Sequence, residues 1–339
     1  MMGKFENKIP VIFAIDNDYV KPLSAVIISI LKNSSKNTWF EFNVLSSCLS
    51  EDNKNILSSL KKFNKNISFN FINMREYTEN LKLEKYMSRR KDYTYISVET
   101  YYRFYISELF PQHDKVLYLD ADILVLEDIK ELYDEDISEY YAGVVQDTVL
   151  EIYIEKPDQK TCTEPKRDFP TYFREKLKKK NLKYFNAGVL LFNLKKMRED
   201  NVAQKLWEFA EKESPLEYQD QDILNAVLEE KVKYVDYKWD VLKDLKWFAK
   251  QVRDEKKKKY LLKTYKHPGI FHYVGDNKPW ILHDSSYNYG FIEKWWKYYK
   301  LSACFDEKDK QLFKEIKTKK LVPKIVKCVR IMNCLGWEF

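Results

Sequence analysis

Asp120 and Asp122 stand two residues apart where an apolar run, Lys115 to Leu119, ends. In extended chain, positions i and i+2 point the same way, so both carboxylates face one side. Held that close they repel each other unless a proton or cation intervenes, and one hard divalent cation suits both. The same triplet also serves in helix and turn caps. A second apolar run ends in His272-Tyr273-Val274-Gly275-Asp276-Asn277-Lys278-Pro279-Trp280. Neutral imidazole at His272 would complete a mixed N/O site suited to Mn²⁺, with Mg²⁺ the alternative; a lone histidine is equally at home in a core. Gly275 lets backbone approach a ligand, and Lys278 offers a point charge to phosphate. A diphosphate held between the ion and Lys278 would be neutralised as it gains charge on leaving.

Three further groups carry polar chemistry at the ends of apolar runs. Asp16, Asp18 and Tyr19 follow Ile9 to Ile15, where a carboxylate can accept a base N–H and a tyrosine can stack on it, unless they only turn the chain before Pro22. Asn186 opens Asn186-Ala187-Gly188-Val189-Leu190-Leu191-Phe192-Asn193 and, with Tyr218-Gln219-Asp220-Gln221-Asp222, could supply contacts to sugar hydroxyls. Asp220 and Asp222 would equally serve as acids at a helix N-terminus. Arg103, on an apolar stretch, reads as a paired structural cation or a phosphate contact.

The elements that must position these residues alternate. Ile9 to Ile15 has the pattern of a strand buried on both faces, followed by a helix opening at Pro22. Trp39 to Leu45, a polar helix over 50–63 and Ile67 to Ile72 continue the alternation; 74–93 reads as a mobile loop region before a helix over 97–109. Strands at Lys115 to Leu119, Tyr141 to Gln146, Ala187 to Asn193 and Ile270 to Val274 follow, with helices at 202–212 and 219–229. Such alternation predicts an α/β fold with a mainly parallel twisted sheet, whose ligands bind at the carboxyl edge. No Pro/Gly/Ser linker divides residues 1–300, which read as one domain followed by a basic tail, 301–339.

Composition removes several function classes. The 339 residues are 45% hydrophobic and 33% charged, which excludes a disordered chain, and only 7 Gly and 10 Pro exclude collagen-like architectures. The start lacks a signal-peptide core, and no run approaches the roughly 20 apolar residues of a membrane span. Five scattered cysteines, Cys48, Cys162, Cys304, Cys328 and Cys334, fit neither a disulfide framework nor zinc spacing, so a reducing cytoplasm is expected. The net charge of +7 is concentrated in the tail: nine Lys/Arg against three acids lie between Lys308 and Phe339. A helix after Pro323 would carry apolar and cationic faces, suited either to an anionic membrane surface or to docking on its own domain. Aromatics do not interleave with the basic residues as nucleic-acid recognition requires, so no nucleic-acid partner is expected.

The blocks LYLDADILV, YFNAGVLLFNL, YQDQDIL and HYVGDNKPW, in this order, resemble glycosyltransferase family 8, in particular the bacterial lipopolysaccharide α-galactosyl- and α-glucosyltransferases. That resemblance implies a GT-A fold and a retaining hexosyltransferase. The donor would be UDP-galactose or UDP-glucose, and the acceptor a glycan or glycolipid of a lipopolysaccharide or other cell-surface polysaccharide. By the same resemblance Asp120, Asp122 and His272 bind Mn²⁺, Asp16 and Tyr19 contact uracil, and Gly275 and Lys278 contact the diphosphate. Ala121 falls within the nucleotide-sugar site. Asp18 stands where the bacterial galactosyltransferases carry Asn. Arg103, Asp147, Asn186, Asp220 and Gln221 would meet the sugar, with Gln221 beside the reacting carbon and Asp220 its catalytic neighbour. The tail resembles the membrane-associating tails of that branch, which implies a peripheral place on the inner face of the cell membrane. Two other classes compete. A metal-dependent phosphohydrolase would place Ser or Thr two residues after its second Asp, where Leu124 stands; a nucleotide-sugar-binding scaffold would have lost turnover.

Overall fold

The computed structural model describes residues 8–79, 81–87, 97–155, 168–275, 277–281 and 289–321. Their strands are β1 Lys8–Ala14, β2 Trp39–Ser46, β3 Ile67–Asn73, β4 Lys115–Leu119, β5 Ile123–Val125, β6 Ala142–Gln146, β7 Phe185–Asn193, β8 Val232–Tyr234, β9 Val241–Leu242 and β10 Ile270–His272. Seven form one sheet in the order β3-β2-β1-β4-β7-β6-β8, and β5-β10-β9 form a second. The contiguous set β3-β2-β1-β4 is parallel, as alternating strands and helices require. Beyond it β7 runs antiparallel to both neighbours, β4 and β6, and β8 is again parallel to β6. Apolar side chains on both faces explain the unbroken runs: Val11, Ile12 and Phe13 are wholly buried, as are Leu117 and Leu119.

The first helix, α1 (Val20–Asn33), starts two residues before Pro22; the proline lies within the first turn, where its missing N–H leaves no intrahelical bond unmade. Ser50 caps the polar helix Glu51–Ser58 by accepting from the Asn53 N–H, and a 3-10 turn, Ser59–Lys62, finishes it. The stretch expected to be a helix over 97–109 is mostly not α-helical. Val98–Tyr105 is wound as a 3-10 helix, and only Ile106–Leu109 is α. Eight residues is long for a 3-10 helix. Part of the expected loop over 74–93 is short helix, Arg75–Thr78 and Leu83–Tyr86, and residues 88–93 lie outside the described ones.

The helix Glu307–Leu321 is fixed to the body. Lys21 Nζ on α1 lies 3.1 Å from both carboxylate oxygens of Asp309, Tyr299 donates its hydroxyl to Asp309 at 2.7 Å, and Phe313 packs 5.0 Å from Trp296. The amphipathic helix expected after Pro323 lies outside the described residues, as do Cys162, Cys328 and Cys334, while Cys48 and Cys304 are free thiols. No described helix is long and apolar enough to cross a membrane.

Candidate functional site

Strand order reverses between β1 and β4: from β1 the chain builds β2 and β3 outward on one side, then returns to add β4 on the other. The carboxyl edge at such a reversal opens a crevice, and Asp16 after β1 and Asp120 after β4 stand beside it. Asp122 is followed at once by β5, which pairs antiparallel with β10 so that Ile123 faces His272. The Tyr273 N–H then donates to the Asp122 carbonyl at 2.9 Å. This register brings His272 to the twin acids: its Nε2 lies 3.1 Å from Asp122 Oδ1 and 3.9 Å from Asp120 Oδ2. One ligating atom from each of the three residues falls within 4.8 Å of the others.

Two residues that the sequence did not single out complete this geometry. Asp240, fully buried, accepts from His272 Nδ1 at 2.9 Å, which fixes the ring and leaves Nε2 facing the carboxylates. Gly188 on β7 accepts the Asp120 N–H at 2.8 Å, and a Cβ there would fall 2.9 Å from His272 Nδ1 and 3.0 Å from Asp120 Oδ2. Only a residue without a side chain lets the strand pass so close.

Electrostatics fit a cation at this point. Burial pushes the Asp122 carboxyl up, but the charges of Lys278 and His272 outweigh it and hold it far below the usual range. Lys278 Nζ is paired with Asp122 Oδ2 and also donates to the Tyr273 carbonyl at 2.8 Å. Burial lowers the His272 imidazole, while Asp122 and Asp240 overcome it and push it up to about 10. Proton and ion compete for the same nitrogen. Two carboxylates, one imidazole and a carboxylate behind the imidazole make a donor set that fits a divalent cation of the Mn²⁺ or Mg²⁺ type.

On the other side of the acids sits a polar floor. Arg103 is buried and lies between two carboxylates, its Nη2 3.1 Å from Asp120 Oδ1 and its Nε 3.1 Å from Asp220 Oδ2, with Nη1 donating to the Ala187 carbonyl at 2.6 Å. Thr100 donates to Asp220 at 2.6 Å. The 3-10 winding of Val98–Tyr105 accommodates this, because the Thr100 carbonyl also accepts from Arg103 Nε at 2.9 Å. Gln221 Oε1 accepts the Ala187 N–H at 2.9 Å, and Asn186 Oδ1 accepts that of Gly188 at 2.9 Å. Asp220 and Asp222 part company: Asp220 faces the cavity, whereas Asp222 is engaged away from it by the Tyr172 and Tyr184 hydroxyls at 2.6 and 2.7 Å and the Tyr218 N–H at 2.8 Å.

Asp147 accepts the Val149 and Leu150 N–H groups at 3.0 Å and lies 3.5 Å from Asn186 Nδ2. Burial nevertheless pushes it up to about 6. A folded pKa above the unfolded value means that the folded chain holds an extra proton between about pH 4 and 6, so stability is greatest below that window and falls as pH rises through it. Asp147→Asn should remove roughly 3 kcal/mol of this loss at pH 7.5. Denaturant titrations at pH 4.5 and 7.5 check it, and an unchanged difference between the two would exclude the assignment.

Arg103, Asp120, Asp122, Asp147, Asp220, His272 and Lys278 line one cavity of about 730 Å³, together with Asp16, Tyr19, Ala121, Asn186, Gln221 and Gly275. Asp16 accepts the Tyr19 N–H at 3.0 Å, and the Tyr19 ring meets Trp280 edge-on at 6.0 Å. Asp18 departs from expectation: it is exposed and is not part of the lining, because the turn into α1 directs it outward. Lys243, Asp244, Trp247 and Phe248 form a further wall that no motif announced. They follow the two-residue strand β9, too short to leave a periodic signal.

Residues 10–283 match the sequence model of Glycosyl transferase family 8. The chain is 28% identical over 296 residues to the lipopolysaccharide 1,2-glucosyltransferase of Escherichia coli, covering 86% of this chain and 77% of that one. It is 25% identical to General stress protein A of Bacillus subtilis, over 83% and 92% of the two chains. Among solved structures, the galactosyltransferase LgtC in complex with donor and acceptor sugar analogs superposes with a TM-score of 0.69 at 25% identity, over 90% of this chain and all of that one. The bifunctional glycosyltransferase WbbM gives 0.75 at 25% identity, over 93% of this chain and 53% of its own.

Proposed function

The chain belongs to glycosyltransferase family 8, with the GT-A fold of its structural neighbours, and from that premise we propose that it is a retaining, Mn²⁺-dependent enzyme that moves galactose or glucose from the UDP-sugar to a glycan or lipid-linked acceptor. Its product would belong to a lipopolysaccharide or other cell-surface polysaccharide. The observation that carries the reading is the convergence of Asp120, Asp122 and His272 within one cavity that also holds Asp16 and Tyr19, Gly275 and Lys278, and the Arg103, Asp147, Asn186, Asp220 and Gln221 floor.

Asp120, Asp122 and His272 would hold the ion, which supplies Lewis-acid stabilisation to the departing diphosphate. Lys278 adds a positive charge from the opposite side of Asp122, and Asp16 with Tyr19 seats the base. Asp147, Asn186 and Asp220 orient the hexose through its hydroxyls. Gln221, held by the Ala187 N–H, is an amide and a poor nucleophile. Retention then comes from front-face return, in which the departing phosphate oxygen takes the proton of the acceptor hydroxyl. Leu124, a wholly buried strand residue where a phosphohydrolase needs a hydroxyl, speaks against that chemistry. In a screen of UDP-sugars without acceptor, UDP-galactose or UDP-glucose should be hydrolysed slowly and only with Mn²⁺; no metal-stimulated release of UDP from any of them would overturn the proposal.

We place the enzyme at the cytoplasmic face of the membrane through its basic C-terminal residues. Because Glu307–Leu321 is fixed to the body, the chain shortened after residue 321 tests this without disturbing the fold. The full chain should sediment with anionic liposomes and the shortened one should not. Equal sedimentation would remove the assignment of membrane binding to the residues beyond 321, among them Lys324, Lys327 and Arg330.

A further inference from the structure

Resting on the nucleotide-sugar reading above, we infer that Lys243, beside Gly275, is a second ammonium for the donor diphosphate. β9 runs parallel to β10 with Leu242 beside His272, and the Lys243 N–H donates to the His272 carbonyl at 3.0 Å. The chain thus delivers Lys243 to the start of the segment that carries Gly275 and Lys278. Lys243 is only 8% exposed, yet it lines the cavity. Gly275 has φ +76°, where a side chain is strained, and a Cβ built there would lie 3.3 Å from Lys243 Nζ. Whatever rests on the open face of Gly275 therefore meets that ammonium.

Charge complementarity favours a polyphosphate as the occupant. The carboxylates of Asp120 and Asp122 offset the charge of a divalent ion, and Arg103 is engaged by Asp120 and Asp220. Lys278, which Asp122 engages in turn, faces a sugar diphosphate that carries two negative charges and gains a third as the glycosidic bond breaks and its electron pair leaves with the phosphate oxygen. The placement of Lys243 over Gly275 supplies a second positive charge where that negative charge grows. Motif reading could not find it, because Lys243 and Lys278 are joined only through the pairing of β9 with β10.

Calorimetric titration of the full chain with UDP in Mn²⁺ tests this, alongside uridine binding followed by ligand-observed NMR. Lys243→Met should weaken UDP roughly 10- to 100-fold, the worth of one charge-assisted hydrogen bond, and leave uridine unchanged. Lys243→Arg should recover most of the loss. Lys243→Met that binds UDP within twofold of wild type, or loses uridine to the same degree, would overturn the inference. Wild type that binds UDP no better with Mn²⁺ than without it would instead remove the donor reading on which the inference stands.

Discussion

Asp122→Asn should lower Mn²⁺-stimulated hydrolysis of the UDP-sugar by about a thousandfold, the equivalent of roughly 4 kcal/mol of transition-state stabilisation. This carboxylate does more than offer one oxygen to an ion. Oδ1 faces His272 Nε2 at 3.1 Å and Oδ2 holds Lys278, so the neutral amide removes the negative charge that the buried ammonium faces there. Breaking such a buried pair from one side costs about 3–5 kcal/mol of stability. Loss of activity through unfolding is separable from loss of the site, because the double variant Asp122→Asn/Lys278→Met removes both charges. It should recover much of the thermal stability and none of the metal-dependent turnover. A single variant that keeps turnover within tenfold of wild type in Mn²⁺ would show that the ion is held elsewhere.

Gly188→Ala should cut the same activity at least about a hundredfold while the fold persists. The added methyl falls well inside contact distance of His272 Cε1 and 3.0 Å from Asp120 Oδ2. His272 cannot yield freely, since Nδ1 is held by Asp240 and its strand is paired on both sides. Overpacking of this kind costs about 1–3 kcal/mol, and a displacement near 1 Å at reacting groups costs on the order of 10² in rate. Circular dichroism should show an intact chain with a lowered melting point, and Mn²⁺ titration should show weakened binding. Turnover within threefold of wild type would mean that the close passage of β7 does not constrain the site.

Much of the site was legible because local sequence encodes it. Apolar runs mark β1 and β4 as strands buried on both faces, and a polar residue immediately after such a run must emerge at the sheet edge, which locates Asp16 and Asp120. Spacing alone turns Asp120 and Asp122 to one side. The resemblance added Asp147, which lines the cavity with the other residues it names, whereas Asp18 and Asp222 do not. Asp18 is exposed in the turn before α1, and which residues of such a turn face the cavity is not reported by composition. The helix expected over 97–109 is present, but as a 3-10 stretch, Val98–Tyr105, ahead of α-helix Ile106–Leu109, a distinction that periodicity does not report; from it Arg103 reaches Asp120, Asp220 and Ala187.

What the sequence determined by itself is therefore the order of elements, the carboxyl edge and the family, all of which follow from short-range periodicity and contiguous motifs. The tertiary structure alone decided that His272 comes to lie against Asp122, that Asp240 stands behind it, that Gly188 must be bare and that Lys243 overlooks Gly275. Each depends on the register of β5, β9 and β10 or on the approach of β7. Strands of two or three residues carry almost no pattern of their own, and their pairing is fixed by the packing of distant segments.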